Sequence, residues 1–118
     1  MKQNKRETGS RHEEQAAAYL TGRGYRILEQ NYRCRLGELD LIARDGRYLV
    51  FIEVKYRSSG RSGDPAEAVN PAKQGRIIRT ARYYLMKQGY GTETPCRFDV
   101  VSILGDEIRL IRDAFWMT

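Results

Sequence analysis

The sequence has few of the residues that build disulfide or soft-metal sites. Its 118 residues include two cysteines, Cys34 and Cys96, and one histidine, His12. The cysteines are far apart and form no Cys-x-x-Cys pair, so neither a disulfide framework nor a Cys/His zinc site is expected. Any bound metal is expected to be a hard cation held by carboxylates.

Long apolar runs are also missing. None approaches the roughly 20 residues that span a bilayer, and the polar stretch from Met1 to Glu14 lacks the apolar core of a signal peptide. We therefore expect a soluble, cytoplasmic protein with no membrane partner. Apolar residues make up 41% of the chain and charged residues 31%, which predicts one folded domain over residues 1–118.

Basic residues are in excess and unevenly distributed. The chain has 21 Lys and Arg against 15 Asp and Glu, a formal charge of +6. The segment from Val54 to Thr92 carries eight bases and two acids, whereas the remainder carries thirteen of each sign. One basic segment beside a neutral body is typical of a surface that binds a polyanion.

Local patterns predict seven elements. Ser10 and Glu13 fit a capping box, which places a first helix from Ser10 to Thr21 after a flexible tail at 1–9. The Asn70-Pro71 pair predicts the start of a second helix that ends before Gly89. The predicted strands cover 25–32, 39–43, 48–55, 97–104 and 108–111, and a mobile loop covers 57–64. The order αβββαββ predicts an α+β domain with a mixed central sheet flanked by helices.

The central hairpin brings acidic residues together. If Asp45 and Gly46 form its two-residue loop, Asp40 lies opposite Phe51 and Glu38 opposite Glu53. Side chains alternate between the faces of a sheet, so Glu38, Asp40, Glu53 and Lys55 are expected on one face, with Leu39, Leu41, Val50, Ile52 and Val54 on the other. Facing carboxylates are unfavourable unless a positive charge lies beside them, and Lys55 or a divalent cation would supply it.

Two simpler interpretations compete with a functional one. Alternating charged and apolar residues in a strand are typical of a solvated sheet face, although Leu49 and Phe51 on the same face favour a partly covered cleft. Glu13 either returns a capping bond to Ser10 or joins the acids of the hairpin from the inner edge of its helix.

These residues resemble a known family of nucleases. The run Gly37-Glu38-Leu39-Asp40-Leu41-Ile42, followed by Phe51-Ile52-Glu53-Val54-Lys55, resembles the split Asp...Glu-x-Lys motif of restriction-endonuclease-like nucleases. With Glu13, Asn31-Tyr32-Arg33, Lys73 and Cys96-Arg97-Phe98-Asp99, the pattern is similar to the small bacterial YraN family over nearly the whole chain. That family in turn resembles archaeal Holliday-junction resolvases.

The resemblance implies a restriction-endonuclease-like core and assigns roles to the hairpin residues. It implies that Asp40 and Glu53 are catalytic carboxylates that bind Mg²⁺ or Mn²⁺, with the backbone carbonyl of Val54 as a third ligand. It implies that Glu13 completes the acidic cluster and that Lys55 is catalytic. Glu38 accompanies the motif in a supporting role.

The basic segment is the expected surface for nucleic acid, most simply DNA. The residues assigned to it are Arg57, Arg61, Lys73, Arg76, Arg79 and Arg82. The expected activity is metal-dependent hydrolysis of phosphodiester bonds in structured or branched DNA. The alternatives are a nucleic-acid-binding adaptor with the nuclease fold and little turnover, and a protein-interaction scaffold whose basic helix face is merely solvated. Cutting both strands would require a homodimer. The aromatic residues Phe115 and Trp116 either pack the C-terminal segment onto the domain or mediate self-association.

Overall fold

The computed structural model describes residues 5–57 and 69–117, with side chains from residue 11 onward. Two helices and five strands follow one another along the chain. They are α1 (Lys5–Gly22), β1 (Arg26–Cys34), β2 (Gly37–Asp45), β3 (Tyr48–Arg57), α2 (Pro71–Lys87), β4 (Cys96–Leu104) and β5 (Glu107–Phe115). The predicted α+β class and element order are confirmed. No helix in these residues combines the length and apolar character needed to cross a membrane.

The strands form one mixed sheet in the order β1-β2-β3-β4-β5. β3 and β4 are parallel, and every other neighbouring pair is antiparallel. The parallel pair requires a crossover, and α2 lies within the connection between its two strands. The α1 and α2 helices pack on opposite faces of the sheet, each over its own apolar cluster.

The ends of α2 follow its sequence signals. The Asn70 side chain caps the helix by accepting a hydrogen bond of 2.9 Å from the Lys73 amide, and Pro71 occupies the first turn. At the other end Gly89 adopts φ +78°, and the amides of Gly89 and Tyr90 donate to the carbonyls of Met86 and Leu85. This double closure is the Schellman motif that glycine favours.

The predicted start of the first helix is wrong. α1 begins at Lys5, so Ser10 lies inside the helix and residues 5–9 of the predicted tail are helical. A Ser-x-x-Glu sequence fits a helix interior as well as a helix start when the preceding residues also favour helix. Glu13 therefore lies beyond the first turn, which removes its capping role. Met1 to Asn4 and the predicted mobile loop after Arg57 lie outside the described residues.

The register of the central hairpin differs from the prediction by two residues. Asp45 pairs with Tyr48, so the loop is Gly46-Arg47, and Ile42 pairs with Phe51. Gly46 has φ +60°, which suits the first loop position of a II′ turn. A shift of two residues changes which side chains lie opposite but keeps each one on its face. The predicted opposition of Glu38 with Glu53, and of Asp40 with Phe51, is therefore wrong.

Strict alternation also fails near Asp40. Leu39 packs in the cluster under α2, whereas Leu41 packs in the cluster under α1, although the prediction placed both on one face. The last regular pair between β2 and β3 is Leu41 with Ile52, so the ladder ends just before Asp40. Its side chain consequently lies where the two strands separate, within reach of residues from both layers.

The structure explains why the motif around Asp40 begins with a glycine, Gly37. It adopts φ +151°, and a Cβ atom there would lie 2.8 Å from the Thr80 hydroxyl oxygen of α2. A contact this short is far inside van der Waals distance, so only glycine lets β2 start this close to the helix. This close approach sets the position of α2 over the hairpin.

Candidate active site

Asp40 is a largely buried carboxylate in β2, at the point where the pairing of β2 with β3 ends. One of its oxygens accepts a hydrogen bond of 2.8 Å from the Val54 amide of β3. Burial and the neighbouring charges of Glu53 and Glu13 together raise its pKa to about 8, although the Val54 hydrogen bond acts to lower it. The site is therefore short of positive charge around Asp40.

Glu13 reaches this carboxylate from α1. It is buried, with 9% of its surface exposed. Its side chain interacts with those of Asp40 and Asn31, and burial outweighs both hydrogen bonds to raise its pKa. Its Oε2 atom is buried without a hydrogen-bond partner. Of the two roles considered from sequence, the structure supports membership of the acidic cluster, defined here as Glu13, Asp40 and Glu53.

Glu53 faces two lysines. Its Oε1 atom lies 2.7 Å from Lys73 Nζ and 3.8 Å from Lys55 Nζ. Burial and the neighbouring Lys73 lower the pKa of Lys55. For Lys73, burial acts to lower the pKa, but the hydrogen bonds to Glu53 and Lys55 outweigh it and the net shift is upward. The sequence assigned Lys73 to the nucleic-acid surface, and the structure brings its side chain into contact with this site.

The acidic cluster contains oxygen donors of the kind that hold a divalent cation. Within residues 11–57 and 69–117, no three His, Cys, Asp or Glu side chains are arranged to hold a metal ion. The predicted ligand set contains only two carboxylates, those of Asp40 and Glu53. Its third ligand is the backbone carbonyl of Val54. These are the oxygen donors that Mg²⁺ prefers, and the unpartnered Glu13 Oε2 and the raised pKa of Asp40 mark a place where added positive charge is favourable.

The other predicted residues divide by position. Glu38 is exposed and pairs with Arg33 at 3.1 Å, so it points along the surface. Arg57 ends β3, and Arg61 lies outside the described residues. The remaining bases, Arg76, Arg79 and Arg82, are exposed on α2. Together with Lys73 they recur every third residue, so the four side chains form a diagonal row that winds about half-way around the helix from Lys73 to Arg82. We call Lys73, Arg76, Arg79 and Arg82 the basic ridge.

An aromatic pair borders the site. The His12 ring stacks on Tyr56 with centroids 3.8 Å apart and planes 14° apart. Tyr56 follows Lys55 directly and remains exposed, while His12 precedes Glu13. The stack links α1 to the end of β3 beside the acidic cluster. Nothing in the sequence position of His12 indicates a partner 44 positions later.

A second charged group, not recognised as a unit from the sequence, lies elsewhere in the sheet. Asp99 is fully buried, and its oxygens accept hydrogen bonds from Arg97, Tyr25 and the Asp113 amide at 2.7 to 3.0 Å. Arg97 also pairs with Asp45 at 2.8 Å. Burial and the bond to Asp99 raise the pKa of Tyr25 to about 12. We call Tyr25, Asp45, Arg97 and Asp99 the Asp99 cluster.

Comparison with known proteins identifies the family. Residues 12–103 match the model of "Uncharacterised protein family UPF0102". The chain belongs to the UPF0102 family. This family is also called YraN, so the resemblance drawn from the sequence is confirmed at that level.

Individual UPF0102 proteins match over nearly their whole length. One from Lachnoclostridium phytofermentans is 54% identical over 112 residues, covering 95% of each chain. One from Syntrophus aciditrophicus is 52% identical, covering 98% of this chain and 92% of its own. One from Nitrosococcus oceani is 49% identical, covering 93% and 92%. The matched range of the family model, 12–103, includes the whole acidic cluster and the basic ridge.

Proposed function

We propose that this UPF0102 protein is a metal-dependent nuclease-type domain that hydrolyses phosphodiester bonds in DNA. The observation that carries the proposal is the buried Asp40 carboxylate, whose pKa is raised to about 8 beside Glu13 and Glu53. A carboxylate kept in such surroundings is costly for stability and is typical of functional sites. The resemblance to Holliday-junction resolvases extends the proposal to structured or branched DNA.

The residues of the site can divide the work of phosphodiester hydrolysis. Asp40, Glu53 and the Val54 carbonyl would hold Mg²⁺ or Mn²⁺, which would polarise the phosphate and lower the pKa of a water molecule. Lys55 would stabilise the charge that develops on the phosphate, since its ammonium lies beside Glu53 at the edge of the cluster. Glu13 would orient Asp40 from the α1 side.

The basic ridge gives the substrate backbone a place to lie. Its first member, Lys73, contacts Glu53, and the next three are exposed along α2. No acidic residue occurs between Val69 and Thr92 to weaken the field. Arginine guanidinium groups bind phosphate in two-pronged geometry, so a strand held along the ridge would lead directly to the acidic cluster.

One observation favours the adaptor alternative. Lys73 Nζ lies 2.7 Å from Glu53, so an ammonium group already compensates one of the two carboxylates proposed to hold the cation. A domain that binds nucleic acid without turnover would keep this ion pair permanently. Both lysines contact the Oε1 atom of Glu53, so a cation that binds through this oxygen would displace Lys73. In that case the two functions differ in whether Lys73 leaves Glu53.

Cleavage of a DNA panel tests the proposal. Purified protein is incubated with duplex, flap and four-way DNA in Mg²⁺, Mn²⁺ or EDTA. We expect metal-dependent cleavage by the wild type and a loss of about 100-fold or more for Asp40→Asn and for Glu53→Gln. Glu14→Gln is the matched control for charge, because Glu14 is exposed on α1 next to Glu13.

Three results would contradict the nuclease. Equal cleavage by the wild type and Asp40→Asn would come from a contaminating enzyme. Salt-sensitive DNA binding without cleavage in any metal would establish the adaptor. If reversing the charge of Arg76 and Arg79 leaves DNA affinity unchanged, neither function holds and the scaffold interpretation replaces both.

A further inference from the structure

A groove lies at the far end of the basic ridge from the acidic cluster. It has a volume of about 790 Å³, within the range of pockets that hold small organic groups. Its walls come from the C-terminal end of α2, the α2–β4 connection and the C-terminal segment. Its aromatic walls are Tyr90, Phe98, Phe115 and Trp116.

Trp116 is the most exposed of these rings, with 70% of its surface accessible. Its position is nevertheless fixed by its neighbours in the chain. Phe115 is buried and stacks on Phe98 with centroids 5.0 Å apart, and the Asp113 amide donates to Asp99. The Asp99 cluster therefore anchors the segment that presents the indole ring beside the groove.

The groove is continuous with the basic ridge. Arg82, the last residue of the ridge, lines the groove together with Leu85, one further step of three along the helix. At 1.5 Å per residue, the nine positions from Lys73 to Arg82 span about 14 Å along α2. The lining includes one carboxylate, Asp113, and a second arginine, Arg97, whose guanidinium group is paired with Asp45 and Asp99.

We propose that this groove binds an unpaired base of a nucleic acid strand whose phosphates lie along the basic ridge, with Trp116 as the stacking platform. The inference rests on the proposed function because it requires a nucleic acid ligand. It adds a preference for single-stranded segments, because bases in a duplex are stacked on each other and cannot enter the groove. The positive ridge selects a polyanion, and an aromatic platform at its end stacks any base without regard to sequence.

Trp116 is the only tryptophan, so its fluorescence reports on this groove alone. A 12-nucleotide thymidine oligonucleotide should quench its emission as it binds. Anisotropy of the labelled oligonucleotide should show about tenfold weaker binding for Trp116→Ala and near-wild-type binding for Trp116→Phe, which keeps a ring. A 12-base-pair duplex should bind both variants within about twofold of the wild type.

Leu36→Ala is the matched control, since Leu36 is an exposed apolar residue outside the groove. Thermal melting of each variant confirms that it is folded. If the oligonucleotide binds but Trp116→Ala binds equally well and the emission does not change, the groove is not used, while nucleic acid binding stands. If the wild type binds no DNA probe, the proposed function fails as well. Trp116-dependent dimerisation without DNA, seen by sedimentation, would assign the ring to a contact between copies and overturn the inference.

Discussion

Two groups of buried charge lie on or against the same sheet and are compensated to different degrees. Asp99 is surrounded by donors, and each of its oxygens accepts two hydrogen bonds, with Arg97 contributing to both. In the acidic cluster, Glu13 Oε2 has no partner and the pKa of Asp40 is raised to about 8.

The difference separates a structural role from a functional one. A fully satisfied buried network fixes one arrangement of the chain. The Asp99 cluster joins the residue before β1 to β2 and β4, and the Asp113 amide of β5 donates to it. Carboxylates left short of positive charge destabilise the fold unless a ligand supplies it. The comparison thus indicates a stabilising role for the Asp99 cluster and agrees with the proposal that the acidic cluster binds a cation.

The largest expected effect is a loss of stability at the Asp99 cluster. Arg97→Met keeps most of the side-chain volume but leaves Asp99 buried without its cation. We expect the free energy of unfolding to fall by about 3 to 5 kcal/mol, measured by urea denaturation. The exposed Arg109 of β5 gives a matched control, and Arg109→Met should change stability by less than about 0.5 kcal/mol.

A double variant separates the lost cation from lost packing. Adding Asp99→Asn to Arg97→Met removes the uncompensated charge and should recover part of the stability. If Arg97→Met alone has no effect on unfolding, the Asp99 cluster is not the structural centre that the comparison requires.

The next largest effect is on the pH dependence of the free energy of unfolding. Its sign is opposite to that produced by a carboxylate whose pKa is lowered by folding. With a folded-state pKa near 8 against 3.8 for a free side chain, Asp40 binds more proton when folded than when unfolded between these values. The free energy of unfolding of the metal-free protein should therefore fall as pH rises from about 4 to 8, by a few kcal/mol at most. Thermal melting across this range measures the slope.

Asp40→Asn should flatten this dependence and raise the stability at pH 8, because the amide has no charge to bury. Glu14→Gln should leave the dependence unchanged, since Glu14 is exposed. A stability that rises towards pH 8 and is lowered at that pH by Asp40→Asn would mean that Asp40 is already compensated.

The smallest effect is at the lysine that bridges the basic ridge and the acidic cluster. Lys73→Gln removes the 2.7 Å contact with Glu53, but Lys55 remains 3.8 Å away. We expect a loss of about 1 to 2 kcal/mol, less than for Arg97, because this pair is only partly buried. Arg76→Gln, with the same charge change at an exposed position of α2, should stay within about 0.5 kcal/mol. A loss as large as that of Arg97→Met would place Lys73 among structural residues.

The sequence predicted the order of elements because caps, glycines and strand patterns act locally. Asn70-Pro71 and Gly89 determine both ends of α2 without reference to the rest of the fold. Most faces of the hairpin were also predictable, since an error of two residues in register preserves them, but Leu39 lies on the opposite face from the one predicted. The start of α1 was not, because the Ser10 and Glu13 pattern is equally compatible with the middle of a helix.

The parts of the site that sequence reasoning missed depend on contacts between distant elements. Lys73 contacts Glu53 across two elements, and the close approach of Gly37 to Thr80 brings β2 and α2 together in the same region. The interaction of Asn31 with Glu13 depends on a left-handed backbone in β1, with φ +55° at Asn31. Neither arrangement leaves a periodic signal, although a glycine and an asparagine beside a charged motif indicate where to look.

The central claim is that the acidic cluster binds a divalent cation, and anomalous diffraction from crystals soaked in Mn²⁺ tests it most directly. The account predicts one peak beside the carboxylates of Asp40 and Glu53 and the carbonyl oxygen of Val54, with Lys73 moved away from Glu53. The absence of a peak there, with Lys73 still in contact with Glu53, would contradict it.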